Sequence, residues 1–246
     1  MMPRRRLLLA CAALICANAI AQPTIEGGKF STQAPGATLP ADWAAMTFKD
    51  IPVHTRYSLV GEGGVTVLKA ESEKSASGLI RDLSARKIDI REYPILRWRW
   101  KIANLIKGAD HTRRSGDDYP ARIYVAFQYD PARASAGMRM KYGLVRAATG
   151  SYPPHAGINY VWDGKAAAGT MAPNAHTERV MMFVVESGRG RVGEWVEVER
   201  NVYADYKRAF GEEPPLVSGI AVMTDTDSTG EAATAWYGDI TLSRAP

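Results

Sequence analysis

Cysteine is all but missing from this chain. The only two, Cys11 and Cys16, fall among the first sixteen residues. Everything after them is therefore excluded from disulfide bonding, thiol nucleophilicity and thiolate metal binding, so stability must come from core packing. Histidine is sparse as well. His54, His111, His155 and His176 stand apart, without the His-x-His or His-Glu-x-x-His spacing of a zinc site. There is no Gly-x-Ser-x-Gly, phosphate loop or dinucleotide fingerprint, and Ser84-Ala-Arg-Lys87 fits Ser-x-x-Lys without its companion motifs. No recognisable catalytic signature is present.

Long apolar runs are confined to the start. Arg4, Arg5 and Arg6 form a basic head, Leu7 to Cys16 an apolar run, and Ala19-Ile20-Ala21 a small-residue cleavage site. Residues 1–21 thus read as a secretory signal peptide, too short and wrongly flanked for a membrane span. The expected destination is the periplasm or the outside of the cell, with no transmembrane segment. Taking three arginines from 31 basic residues leaves 28 against 26 acids, a net charge of +2. Beyond the head no Lys/Arg run exceeds two residues, which argues against a nucleic-acid partner.

What is present is β-pattern. Tyr93 to Ile102 alternates almost strictly, with Leu96, Trp98, Trp100 and Ile102 on one side and Arg97, Arg99 and Lys101 on the other. Its two tryptophans can each bury roughly 150–250 Å², so this strand is expected to anchor the core. Ala121 to Tyr129 alternates too, setting Ile123, Val125 and Phe127 against Arg122, Tyr124 and Gln128. Gly61-Glu-Gly-Gly64 reads as a hairpin turn between two strands. Asn201 is placed to cap a helix to Phe210, with Gly211 as its stop. Residues 22–40 read as an extended lead-in, 41–246 as one domain, and 130–157 match neither helix nor strand pattern. Nine or ten short strands with Gly/Pro turns and one short helix near residues 201–210 predict an all-β fold, an antiparallel jelly-roll-like β-sandwich.

Several motifs occur together: Trp98-Arg-Trp-Lys101, Gly116-Asp-Asp-Tyr-Pro-Ala-Arg122, Val185-Glu-Ser-Gly188, Arg200-Asn-Val-Tyr203, Met223-Thr-Asp-Thr-Asp227 and Tyr237-Gly-Asp-Ile240. In these the chain resembles an uncharacterised family of bacterial exported proteins, a domain of unknown function, over roughly residues 43–243. The resemblance implies no activity, since the family has none assigned. More distantly, Trp236 to Leu242 looks like the closing strand of galactose-binding-like and carbohydrate-binding jelly rolls. Several of those hold a structural calcium with an acid on that strand.

The candidate sites follow from these patterns. If the two alternating strands share a sheet, Arg97, Arg99, Arg122, Tyr124 and Gln128 form one outer surface. Arginine forks suit carboxylates and aromatic faces suit sugar rings, so that surface suits a glycan or an anionic small molecule. Asp117, Asp118 and Glu186 would shape its margin. The bland alternative is a solvated sheet face whose charges are paired with nearby acids. Asp225-Thr-Asp-Ser-Thr-Gly230 opens like a calcium loop, making Asp225 and Asp227 candidate ligands. Trp236 at the twelfth position excludes an EF-hand, and an ordinary Asx-type turn fits the same residues. The sequence thus predicts a binder of a saccharide or other anionic envelope component. A polysaccharide lyase or glycosidase on the same face, and a purely structural envelope protein, stand as alternatives.

Overall fold

The computed structural model describes residues 23–150 and 152–246; the segment read as a signal peptide lies outside them. In chain order the first strands are β1 (Thr24–Gly28), β2 (Trp43–Met46), β3 (Arg56–Glu62), β4 (Val65–Glu73), β5 (Gly78–Asp82), β6 (Ile95–Ile102) and β7 (Arg122–Phe127). Helix α1 (Ala136–Thr149) follows, then β8 (Gly157–Asp163), β9 (Met171–Asn174), β10 (Thr177–Ser187) and β11 (Val196–Asn201). Helix α2 (Val202–Phe210), β12 (Val217–Met223), β13 (Ala232–Tyr237) and β14 (Ile240–Ser243) complete the chain.

The strands form two seven-stranded sheets packed face to face, a β-sandwich of jelly-roll type. The first sheet holds β1, β3, β4, β6, β11, β13 and β14; the second runs β2-β5-β12-β7-β8-β10-β9. Every pairing is antiparallel except β8 with β10, which is parallel. β6 lies at the heart of the first sheet. Val196 of β11 and Tyr237 of β13 both partner Trp100, so they flank it on opposite sides. β14 continues alongside β6 where β13 stops, opposing Arg97, Leu96 and Ile95.

The alternation in β6 is realised as expected: Leu96, Trp98, Trp100 and Ile102 are buried, whereas Arg97, Arg99 and Lys101 face outward. Its indoles meet aromatic residues of β8 in the opposite sheet, Trp98 on Tyr160 at 5.2 Å and Trp100 on Trp162 at 6.2 Å between ring centroids. Such pairs add about 0.5–1.5 kcal/mol each beyond their area burial. These aromatic contacts bolt the layers together.

One expectation is overturned. β6 and β7 are not sheet neighbours; they lie in different sheets. Each strand has a single apolar side, and both sides are buried at once by facing each other across the sandwich. Arg97 and Arg99 therefore emerge on the outside of the first sheet, and Arg122, Tyr124 and Gln128 on the outside of the second. The common arginine wall does not exist.

The helix at 201–210 forms as expected. Asn201 Oδ1 accepts from Ala204 N at 2.9 Å, Val202 and Tyr206 are buried, and Gly211 closes the helix at φ 69°. The lead-in contains an edge strand, β1, pairing with β14. Residues 130–157 yield the second helix, α1, capped by Ser135 Oγ and stopped by Gly150 at φ 82°.

Candidate functional site

On the outer face of the second sheet lies a cavity of about 640 Å³. Alternation along β7 brings Arg122 and Tyr124 to this face, since Ile123, Val125 and Phe127 fill the core. Met223 stands opposite Arg122 on β12, and the chain beyond it delivers Asp225 and Asp227 to the rim. Asp117 comes from the loop before β7. Asn174 and His176 come from the β9–β10 turn, and Phe48, Lys49 and Asp50 from the segment after β2.

Arg122 organises the floor. Its guanidinium is buried and holds Asp225 through both carboxylate oxygens: Nε donates to Oδ1 at 2.7 Å and Nη2 to Oδ2. Nη2 also donates to the Asp117 carbonyl at 2.6 Å, and Nη1 to the Tyr124 hydroxyl at 3.1 Å and Asp117 Oδ1 at 3.4 Å. The Tyr119 ring stacks beneath at 4.4 Å. A buried charge needs this saturation, because an unpaired guanidinium out of water is costly. Burial raises the Asp225 carboxyl above the ordinary carboxylate range. The guanidinium opposes that rise, and Asp225 in turn keeps Arg122 charged. Burial lifts the Tyr124 phenol to about 12, so it stays a neutral hydroxyl at physiological pH.

Around this floor stand groups that sequence reasoning missed. Asn174 Nδ2 donates to Asp117 Oδ2 at 3.0 Å, and His176 Nε2 lies 3.5 Å from the same oxygen. Phe48, 38% exposed, and Ile51 and Val180 supply apolar wall. The Asn174-Ala-His176 turn was the available signal, a polar tight turn between two strands. Nothing in the order of residues tied it to β7.

The expected metal ligands come close together. Carboxylate oxygens of Asp118, Asp225 and Asp227 lie within 4.8 Å of one another. Two of the three are already committed: Asp225 to Arg122, and Asp118 to the Ser228 and Thr229 backbone N–H groups at 3.2 and 2.7 Å. Asp227 is raised above the ordinary range by burial and by the Asp118 charge.

The remaining predicted residues lie elsewhere. Gln128 Nε2 donates to the Ser84 and Val217 carbonyls at 3.0 and 3.3 Å, away from the cavity lining. Glu186 sits 3.6 Å from Arg191. On the opposite sheet, Arg97 and Arg99 line an open groove of about 550 Å³ with Glu197, Glu199 and Asp239. There Arg97 pairs with Glu199 at 2.6 Å and with the Ser243 hydroxyl at 2.5 Å, while Arg99 stacks over Trp195 at 4.6 Å. That groove has more acids than cations.

The chain belongs to the family described as "Protein of unknown function (DUF3047)", whose model matches residues 41–241. No curated protein matches it in sequence. Among solved structures it is similar to the family 11 carbohydrate-binding module of cellulosomal cellulase Lic26A-Cel5E of Clostridium thermocellum. That match has 9% identity and a TM-score of 0.43, and covers 86% of this chain and 92% of that one. The family 30 carbohydrate-binding module of cellulosomal cellulase Cel9D-Cel44B from the same organism aligns at 12% identity, covering 90% and 98%, with a TM-score of 0.44. A cellulase derived from Cel12A of Rhodothermus marinus aligns at 10% identity, covering 89% and 100%, with a TM-score of 0.42. At these identities and scores the likenesses decide nothing about a ligand or a reaction.

Proposed function

We propose that this chain is an exported saccharide-binding domain whose ligand occupies the Arg122 cavity. The observation that carries this reading is the pre-organised floor. Arg122 fixes Asp225, Asp117 and Tyr124 in place, so their remaining hydrogen-bonding capacity is presented without an ordering cost. Sugars offer hydroxyls that both donate and accept, separated by apolar C–H faces. The cavity matches both: acceptors at Asp117 and Asp227, donors at Asn174 and His176, and apolar wall at Phe48, Ile51 and Val180.

An uncharged sugar fits better than a uronate. The lining acids Asp50, Asp117, Asp225 and Asp227 outnumber Lys49 and Arg122, and Arg122 is already neutralised. Binding without turnover is favoured by the state of the acids. Two-carboxylate glycoside chemistry needs one free acid and one free base or nucleophile. Asp225 is locked to Arg122, Asp117 is held by Arg122 and Asn174, and Asp118 by two backbone N–H groups, so none of these three is free for either role. We place the protein in the periplasm or outside the cell on the pattern of residues 1–21.

Calorimetric titration of residues 22–246 with neutral hexose and pentose oligosaccharides, and with uronate oligomers, tests the reading. Saturable binding of a neutral oligomer that is weakened at least tenfold by Asp227→Ala supports it. Binding of uronates alone, or new reducing ends appearing on incubation, would overturn it.

A further inference from the structure

Between β7 and β8 the chain leaves the sandwich to form α1, a helix apolar on two opposite sides. Its inner stripe is Met138, Tyr142 and Val145, at helical spacing. Tyr142 packs on Tyr129 at 4.8 Å, Tyr129 on Tyr152 at 4.7 Å, and Arg179 Nη2 reaches Met138 Sδ at 3.6 Å. That side holds the helix on the domain.

The outer side has no such partner. Met140 and Leu144, one turn apart, are 71% and 68% exposed, the highest values of any large apolar residue among the described residues. Ala136, Gly137, Gly143 and Ala147 surround them, so the two long side chains protrude. At about 100° per residue, Lys141 flanks this strip about 80° from its middle on one side and Arg139 about 120° on the other, while Arg146 lies nearer the inner stripe. The helix contains no acidic residue. Its cations are also not neutralised within the domain. Arg139 donates to the Ala134 and Pro131 carbonyls, Arg146 stacks on Tyr152 and donates to its hydroxyl, and no carboxylate pairs with Lys141 among the described residues.

We propose that α1 docks this protein on an anionic phospholipid surface. Met140 and Leu144 enter the boundary between headgroups and acyl chains, and Arg139 and Lys141 lie against the phosphates. Long cationic side chains on both flanks of an apolar strip suit this geometry, since their stems stay apolar while their heads reach outward. Charge complementarity selects the occupant. A second copy of the helix would bring cations against cations with no acid to offset them, whereas an anionic bilayer attracts them.

Flotation of residues 22–246 with vesicles tests the proposal, comparing equal parts phosphatidylglycerol and phosphatidylcholine with phosphatidylcholine alone. The expected result is at least a tenfold preference for the anionic vesicles, weakening as salt is raised. Met140→Asp with Leu144→Asp should abolish it, and so should Arg139→Glu with Lys141→Glu. Val53→Asp, at an exposed apolar residue outside α1, should leave it unchanged, and an unshifted Tm certifies that each variant is folded. Equal partition onto both vesicle types, binding that survives Met140→Asp with Leu144→Asp, or no vesicle binding by the folded protein would overturn it. So would a concentration-dependent dimer abolished by that same pair of substitutions.

Discussion

Arg122 and Asp225 form a two-pronged pair inside the second sheet, Nε to Oδ1 and Nη2 to Oδ2, with both side chains 2% exposed. They are 103 residues apart in sequence. Because the pair is buried, removing one partner differs sharply from removing both.

Asp225→Ala leaves a buried guanidinium whose nearest remaining carboxylate oxygen is Asp117 Oδ1, at 3.4 Å. The expected loss is about 3–5 kcal/mol of unfolding free energy. Asp225→Leu combined with Arg122→Met should cost clearly less than Asp225→Ala, because no charge is stranded. Urea unfolding of the single and double variants measures the coupling; costs that simply add would show that the pair is not a unit.

Asp227 offers a pH test. Burial and Asp118 raise its pKa, so the folded state holds that proton more tightly than the unfolded chain does. Its contribution is therefore fully present below the unfolded value of about 4 and is lost as pH rises through the folded value. Asp227→Asn should raise Tm at pH 7 and leave it nearly unchanged below about pH 4. With allowance for solvent screening, the gain is about 0.5 kcal/mol, or roughly 1–2 °C. A Tm difference that grows on acidification would contradict the assigned direction.

Trp100 is fully buried, and its indole Nε1 has no hydrogen-bond partner. Trp100→Ala should cost about 3–5 kcal/mol by opening a cavity between the sheets. Trp100→Phe should cost much less, since the ring contact is partly kept and an unsatisfied donor is removed. Denaturant midpoints would show the ordering, and equal costs would mean that a phenyl ring keeps none of the contact between the sheets.

Phe48 lines the Arg122 cavity while remaining 38% exposed. Phe48→Ala should weaken neutral-oligosaccharide binding about tenfold and shift stability by no more than about 0.5 kcal/mol. Calorimetry alongside a melting curve separates the two effects. Unchanged affinity would remove Phe48 from the binding surface.

Much of the sandwich was legible because burial imposes a period of two on a strand. That is why Leu96 to Ile102 and Ile123 to Phe127 could be assigned, and which residues in them point inward. A period says which way a side chain points but not which strand lies alongside, so Arg97 and Arg122 could not be set on their separate sheets. Asn201 and Gly211 announced α2 by capping chemistry. In α1 the helical stripe was masked by Gly137, Gly143 and a second apolar side, although Ser135 was in place as its cap. β1 was hidden by its glycines: a Cβ at Gly27 would lie 2.8 Å from the tip of the Ile220 side chain, and one at Gly28 2.8 Å from the Trp43 ring. The cavity was the least legible part, since its walls come from five separate stretches that only the fold gathers.

The position of β6 governs the order in which the molecule can assemble. Its neighbours on both sides, β11, β13 and β14, are all later in the chain, and β1 waits for β14 at the far end. No chain still lacking its last strands can complete the first sheet, and Trp98 and Trp100 stay without their layer until those strands arrive. Folding that depends on contacts so distant along the chain is slow, so the interval before closure is when this protein is most vulnerable to proteolysis and aggregation.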